Sequence, residues 1–131
     1  MRFVDSNVFV YHLSSDPAYG ERAASILKRV EKGEECVTST LVISQVCGYM
    51  KWRKKAEAIP RFIGLLRALP SMTKMETTFA DFARAAELLE GRSPTSWDDF
   101  VIAAQMNRAG VGEIYSNDAD FDSISGIRRI F

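Results

Sequence analysis

The stretch Arg2-Phe3-Val4-Asp5-Ser6-Asn7 decides the fold of this chain. Phe3 and Val4 predict a short buried strand, and Asp5 stands where that strand should end. In an open α/β sheet, ligands bind in the crevice beyond the carboxyl ends of the strands. We therefore expect the Asp5 carboxylate to point into a site rather than into the core.

Two later stretches also place acids beside apolar residues. They are Trp97-Asp98-Asp99-Phe100-Val101-Ile102 and Ile114-Tyr115-Ser116-Asn117-Asp118-Ala119-Asp120-Phe121. Taken singly, Asp98 or Asp99 is explained by the capping of a helix. Asp118 and Asp120 are explained in the same way by the shaping of a turn. Taken together with Asp5, they support the hypothesis that the acids meet in space and hold a divalent metal, because Mg²⁺ and Mn²⁺ prefer oxygen ligands.

Short strands alternate with helical patterns along the chain, which predicts an α/β fold. We expect one domain over residues 1–131, with a central parallel sheet of about four to five short strands flanked by helices on both faces. The predicted strands cover residues 3–4, 35–38, 72–76, 114–115 and 127–130. The predicted helices cover residues 19–32, 41–54, 60–69 and 98–109, and a further helix opens with a capping box at Thr78 and Asp81 and closes at Gly91.

Composition excludes several classes of site. The 17 basic and 17 acidic residues give zero net charge, which argues against a protein that coats nucleic acid non-specifically but not against a nuclease. The chain has neither a GxxxxGK[ST] phosphate loop nor a GxGxxG motif, and its single histidine, His12, leaves no material for a histidine-based zinc site. Hydrolysis by a metal-bound water remains, since it needs no nucleophile from the protein.

The predicted location is cytoplasmic. Cys36 and Cys47 fit no metal-binding or redox spacing and are expected to be buried thiols in a reducing compartment. We expect no signal peptide, because a strand follows Met1 at once. We also expect no membrane span, because no apolar run approaches the ~20 residues that one requires.

The motifs resemble those of the PIN-domain family. The resemblance is carried by Val4-Asp5-Ser6-Asn7, by Asp99-Phe100-Val101-Ile102-Ala103-Ala104 and by Ser116-Asn117-Asp118-Ala119-Asp120-Phe121, in that order along essentially the whole chain. The compact form is similar to the VapC-type toxins of prokaryotic toxin–antitoxin pairs. The resemblance implies a PIN-like domain with Mg²⁺- or Mn²⁺-dependent endoribonuclease activity, a homodimer, and a small antitoxin whose tail covers the active cleft.

The resemblance also assigns the site residues. It implies catalytic and metal-binding roles for Asp5, Asp99 and Asp118. Asp98 is an alternative to Asp99, and Asp120 is a further possible ligand. The supporting residues that it implies are Asn7, Gln45 and Ser116.

Gln45 marks one departure from the family pattern, which has a glutamate inside the helix after the second strand. Glutamine offers a neutral carbonyl oxygen, so the site has one negative charge fewer. We expect Gln45 to lie close to Asp5 and metal binding to be weak.

The function hypothesis is a toxin-type ribonuclease that cleaves single-stranded or looped RNA, since acids in a cleft must reach an unshielded phosphate. The alternatives are an RNA-processing nuclease without an antitoxin, and a PIN fold that only binds. Surface cations are candidate phosphate contacts, namely Lys51, Arg53, Lys54, Lys55, Arg128 and Arg129. A set of apolar residues between Leu41 and Leu69 is expected to exceed the needs of one core and to provide dimer and antitoxin surfaces; it comprises Val42, Val46, Tyr49, Met50, Trp52, Phe62 and Leu66.

Overall fold

A computed structural model describes residues 1–89 and 94–131 of the chain. In this part the chain forms the predicted parallel sheet, with five strands, and six α-helices, one more than the sequence predicted. The strands are β1 (Arg2–Val4), β2 (Cys36–Ser39), β3 (Met72–Met75), β4 (Glu113–Tyr115) and β5 (Arg128–Ile130). The helices are α1 (Ser6–Leu13), α2 (Gly20–Glu31), α3 (Thr40–Trp52), α4 (Ala58–Arg67), α5 (Phe79–Leu88) and α6 (Trp97–Ala109).

The strand order β3-β2-β1-β4-β5 places β1 at the centre of the sheet. The chain extends the sheet to one side through β2 and β3 and to the other side through β4 and β5, so the order reverses at β1. All pairs are parallel, and Val4 lies beside Tyr115 in the register. The carboxyl ends of β1 and β4 therefore lie side by side at the switch point, which is where α/β sheets bind ligands.

The sheet is buried on both faces around its centre. All residues of β2 are buried, and Phe3 and Val4 of β1 have no exposed surface. This pattern requires cover on each face, which the flanking helices supply. Among the helices, α1 packs mainly against α2 and α3, and α5 packs against α6.

Most predicted boundaries agree with the structure to within a few residues, and two segments differ in type. Residues 6–13 form α1, for which no helix was predicted because the run Val8-Phe9-Val10 has no clear helical period. The Asp5 side chain caps this helix by accepting the N–H of Ser6. A 3₁₀ helix occupies Ala119–Ser123, where a loop was expected. The predicted helix end at Gly91 and the start of the predicted loop at residues 92–96 lie outside the described residues.

A capping box opens α5, as predicted. The Thr78 hydroxyl accepts the N–H of Asp81, while the Asp81 carboxylate accepts the N–H of Thr78. Asp81 also receives two hydrogen bonds from Arg108, at 2.8 and 2.9 Å. The same carboxylate therefore fixes the start of α5 and ties it to the end of α6.

The expectation of surplus apolar residues between Leu41 and Leu69 is wrong for most of the set. Five of its seven members are core residues with 5% exposure or less: Val42, Val46, Met50, Phe62 and Leu66. Tyr49 and Trp52 are 42% and 73% exposed. These residues fill the space between α3, α4 and the sheet, which a helical pattern alone does not measure.

No helix in the described residues is long and apolar enough to cross a membrane.

Two glycine substitutions should change stability in opposite directions. Gly110 ends α6 with φ +70°, in the left-handed region, whereas Gly48 lies within α3, and a Cβ atom at either position would meet no atom within 4 Å. Gly110→Ala should lower the free energy of unfolding by about 1–2 kcal/mol, because an L-residue is strained there. Gly48→Ala should raise it by about 0.5–1 kcal/mol through helix propensity. Urea unfolding of both variants measures this, and equal effects would contradict the assigned helix end.

Candidate metal centre

Asp5 is held in place from two directions at the end of β1. One carboxylate oxygen accepts the backbone N–H of Ser6 at 2.7 Å, and the other accepts the hydroxyl of Ser116 at 2.6 Å and the amide of Asn7 at 3.3 Å. The residue is only 4% exposed. The pKa of Asp5 is raised overall, because burial raises it most and the negative charge of Asp118 adds to the increase. The hydrogen bonds from Ser116 and Ser6 lower it in part.

Ser116 joins the two central strands at the site. Its fully buried hydroxyl donates to Asp5 and accepts the side-chain amide of Asn7 and the backbone N–H of Asp118, both at 3.0 Å. The Asn7 carbonyl in turn accepts the N–H of Asn117. Asn7 and Ser116 thus align the segment after β4 with the segment after β1, which is consistent with the supporting roles expected of them.

Asp99 enters the site from the first turn of α6. Ser96 caps this helix through a hydrogen bond from the N–H of Asp99, and the Asp99 side chain is buried. Neighbouring residues on a helix point about 100° apart, so Asp98 takes a different direction. Its carboxylate accepts the side-chain amide of Gln45 at 2.8 Å.

Three carboxylates converge beyond the ends of the strands. One oxygen atom from each of Asp99, Asp118 and Asp120 lies within 4.8 Å of the other two. Asp118 also caps the 3₁₀ helix by accepting the N–H of Asp120 at 2.9 Å, which brings both residues to one side of the site. Asp5 and Asp98, both named as candidate metal ligands from the sequence, are outside this group.

The Asp99 carboxylate carries the clearest electrostatic signature of the site. Burial raises its pKa to about 7, and the negative charges of Asp118, Asp5 and Asp120 add to the increase against a lowering bond from Ser96. The Asp99 Oδ2 atom is buried and has no hydrogen-bond partner. Clustered oxygen atoms and an unpartnered buried acceptor fit a hard divalent cation such as Mg²⁺ or Mn²⁺.

Gln45 faces Asp98 rather than its own helix. Its amide nitrogen makes the bond to Asp98, and its carbonyl oxygen is buried without a partner. Gln45 lines the same cavity as Ser6 and Asn7, the residues that bond to Asp5. Gln45 therefore lies beside the acidic group and contacts Asp98, the predicted alternative to Asp99.

Tyr11 contacts the segment after β4 and lines the cavity beside the acids, a position that the sequence pattern did not indicate. Its hydroxyl accepts the side-chain amide of Asn117 at 3.1 Å. Tyr11 follows Asn7 by four residues on α1, so both lie on one face of the helix. This spacing could have indicated Tyr11 once α1 was recognised as a helix.

The chain matches known proteins along almost its whole length. The sequence profile described as PIN domain matches residues 2–127. This chain belongs to the PIN domain family. No curated protein sequence matches it.

Solved structures share the PIN fold at low sequence identity. VapC20 of Mycobacterium tuberculosis, described as a toxin that cleaves the sarcin-ricin loop, is 18% identical with a TM-score of 0.81, and the match covers 95% of each chain. VapBC2 of Rickettsia felis, bound to a DNA fragment from its promoter, is 15% identical with a TM-score of 0.70, covering 98% of this chain and 96% of that one. A toxin–antitoxin complex from Klebsiella pneumoniae is 17% identical with a TM-score of 0.64, at coverages of 98% and 96%.

The raised pKa of Asp99 predicts a pH-dependent stability of the metal-free PIN domain. The pKa rises on folding from 3.8 to about 7, so this contribution is fully present below the unfolded value, declines as the pH rises and is lost above the folded value. Between pH 5.5 and 7.5 in EDTA, the free energy of unfolding of the wild type should fall by on the order of 1–2 kcal/mol more than that of Asp99→Asn. Calorimetric melting at both pH values measures this. The control is Asp122→Asn, an exposed change in the neighbouring 3₁₀ helix, whose stability should change with pH as that of the wild type does. Identical pH dependence of stability for the wild type and Asp99→Asn would contradict the raised pKa of Asp99.

Proposed function

We propose that this PIN domain is a Mg²⁺- or Mn²⁺-dependent endoribonuclease and the toxin of a VapBC-type toxin–antitoxin pair. The observation that supports it is the convergence of Asp99, Asp118 and Asp120, with an unpartnered Asp99 oxygen, beside the buried Asp5. The site lies at the switch point of the sheet, where ligands bind in this class of fold. The fold shared with VapC20 and the VapBC complexes supports the toxin assignment.

Each residue of the centre has a separate task in this proposal. Asp99, Asp118 and Asp120 hold the cation, and Asp5 completes the charge of the site while Ser116 and Asn7 fix its orientation. When bound, Mg²⁺ or Mn²⁺ supplies a water of lowered pKa and offsets the negative charge on the phosphate. The carboxylates would orient the attacking water and accept its proton, and the protein would need no nucleophile of its own.

Two protein partners belong to the proposal. One is an antitoxin, supported by the structural likeness to VapBC complexes. The other is a second copy of the chain. An exposed aromatic surface suits a homodimer contact: Phe79 is 87% exposed, and the Phe82 and Trp97 rings stack beside it on α5 and α6 at 6.5 Å. A short upstream reading frame for a DNA-binding protein would favour the toxin over a processing nuclease.

Neutralising single acids of the proposed centre should abolish cleavage without unfolding the protein. We expect Asp5→Asn, Asp99→Asn and Asp118→Asn each to lower Mn²⁺-dependent cleavage of RNA by more than about 100-fold, since metal sites lose ~10–100-fold even from changes around their ligands. Melting temperature in EDTA should not fall by much for Asp99→Asn and Asp118→Asn, because removing one of several like charges relieves repulsion.

The control is Asp122→Asn, which removes an exposed carboxylate from the same 3₁₀ helix and should retain full activity. Full activity in Asp5→Asn would place the metal elsewhere. If Asp98→Asn lowers cleavage more than Asp99→Asn does, Asp98 rather than Asp99 is the metal ligand on α6. A wild-type chain that binds RNA but never cleaves it with Mn²⁺ would favour the alternative of a PIN fold that only binds.

Gln45→Glu should strengthen metal binding and weaken the metal-free fold. A carboxylate at this position would stand where the Gln45 amide donates to Asp98 at 2.8 Å, so a hydrogen bond would become a like-charge contact. We expect Mn²⁺ affinity to rise roughly tenfold by calorimetry and metal-free stability to fall by about 1–3 kcal/mol. Ser44→Glu adds the same charge at an exposed position of α3 and serves as the control. Unchanged Mn²⁺ affinity would show that position 45 lies outside the metal centre.

A further inference from the structure

Two adjoining cavities form one groove that leads away from the acidic centre. The first, of about 410 Å³, reaches Ser6, Asn7 and Gln45. The second, of about 240 Å³, reaches Arg53 and Lys55. The cavities share three wall residues and therefore adjoin; these are Val10, Tyr11 and Tyr49. We call them together the α1–α3 groove.

The near end of the α1–α3 groove adjoins the candidate metal centre directly. Asn7 lines the groove and its amide also contacts the Asp5 carboxylate and the Ser116 hydroxyl. Ser6 lines it too, and its N–H bonds to the other Asp5 oxygen. A polymer whose phosphate lies at the acids would thus have its next unit at the mouth of this groove.

The middle of the groove is aromatic and partly open to solvent. Tyr49 is 42% exposed, and its ring makes a tilted contact with the Trp52 ring, with centroids 6.0 Å apart. Tyr11 is fixed by its bond to Asn117 and by a ring contact with Tyr19 at 5.0 Å. An exposed aromatic face on a rigid wall is the usual platform on which an unpaired base stacks.

The far end of the groove is basic. Arg53 and Lys55 line it, and within the described part of the chain neither forms an ion pair. Arg128 and Arg129 differ, because they pair with Glu113 and Asp122. The one acid on this wall, Asp16, accepts two backbone N–H groups of its own turn. Two free cations beside one satisfied carboxylate favour a bound anion.

We propose that the α1–α3 groove binds the RNA strand next to the scissile phosphate, with one base stacked on Tyr49 and a backbone phosphate held by Arg53 and Lys55. The proposal rests on the ribonuclease function proposed above and assigns the path of its substrate. The order of acids, aromatic wall and cations along one groove matches the alternation of reacting phosphate, base and next phosphate. The first cavity, of about 410 Å³, also lies within the range of small-molecule pockets, roughly 300–1,000 Å³.

The stacking contact is tested by RNA binding without cleavage. Fluorescence anisotropy of a labelled single-stranded RNA of ten nucleotides, in EDTA, should show roughly tenfold weaker binding for Tyr49→Ala, in line with the loss of one stacked base. Tyr49→Phe keeps the ring and should bind like the wild type. Trp52→Ala, which removes a more exposed aromatic outside the groove lining, is the control and should also bind like the wild type.

The phosphate contact is tested by the salt dependence of the same binding. The double variant Arg53→Gln/Lys55→Gln should reduce the slope of log affinity against log salt by about 0.7 per lost phosphate contact. Lys51→Gln/Lys54→Gln removes the same charge from the same end of α3 but outside the groove lining, and should leave the slope unchanged. Melting temperatures verify that all variants are folded.

The outcomes separate this proposal from the ribonuclease function. Equal slopes for both double variants, or wild-type binding by Tyr49→Ala, would overturn the groove assignment; if the wild type still cleaves RNA with Mn²⁺, the ribonuclease function stands. That pattern would leave the groove to a protein segment. A wild-type chain that neither binds nor cleaves RNA would overturn both proposals.

Discussion

The hydrogen bond from the Ser116 hydroxyl to the buried Asp5 carboxylate, at 2.6 Å, is the contact on which the candidate centre depends. It joins the ends of β1 and β4, the two strands whose carboxyl ends form the crevice. Because the hydroxyl also accepts the N–H of Asp118, it sets where the chain turns toward the other acids. Hydrogen bonds from Ser116 and Ser6 replace part of the water that the carboxylate loses on burial, although burial still raises the pKa of Asp5.

The same arrangement makes the metal-free centre electrostatically strained. Asp99 has burial and three neighbouring carboxylates that all raise its pKa, to about 7. Nothing in the described chain bonds to its Oδ2 atom, so no protein donor relieves the charge. Sites that gather like charges in this way are typical of function rather than of stability, because a cation resolves the repulsion that the fold alone maintains.

Gln45 changes this balance in a way that the sequence pattern alone describes incompletely. The resemblance to the family pattern implies that Gln45 stands in place of a carboxylate. In the structure its amide donates to the Asp98 carboxylate, which stands next to Asp99 at the start of α6. Gln45 thus adds no charge of its own and engages that of Asp98. It also lines the α1–α3 groove, which is the proposed substrate path.

The sequence by itself determined the order of the five strands and of every described α-helix except α1, the capping box of α5, the end of α6, and the strand ends after which Asp5 and Asp118 stand. These are local properties: side-chain period, capping residues and a glycine that tolerates positive φ specify them within a few neighbours. The parallel sheet followed as well, since short strands separated by helices admit few other topologies. Only the tertiary structure decided which acids meet. The choice between Asp98 and Asp99 depends on a helix rotation of about 100° per residue relative to the sheet, which a pattern does not fix. Other features depend likewise on tertiary packing, because they join residues far apart in the chain. They are the burial of Val42, Val46 and Phe62, the hydrogen bond from Gln45 to Asp98, and the groove that Tyr49 and Arg53 line with residues of α1.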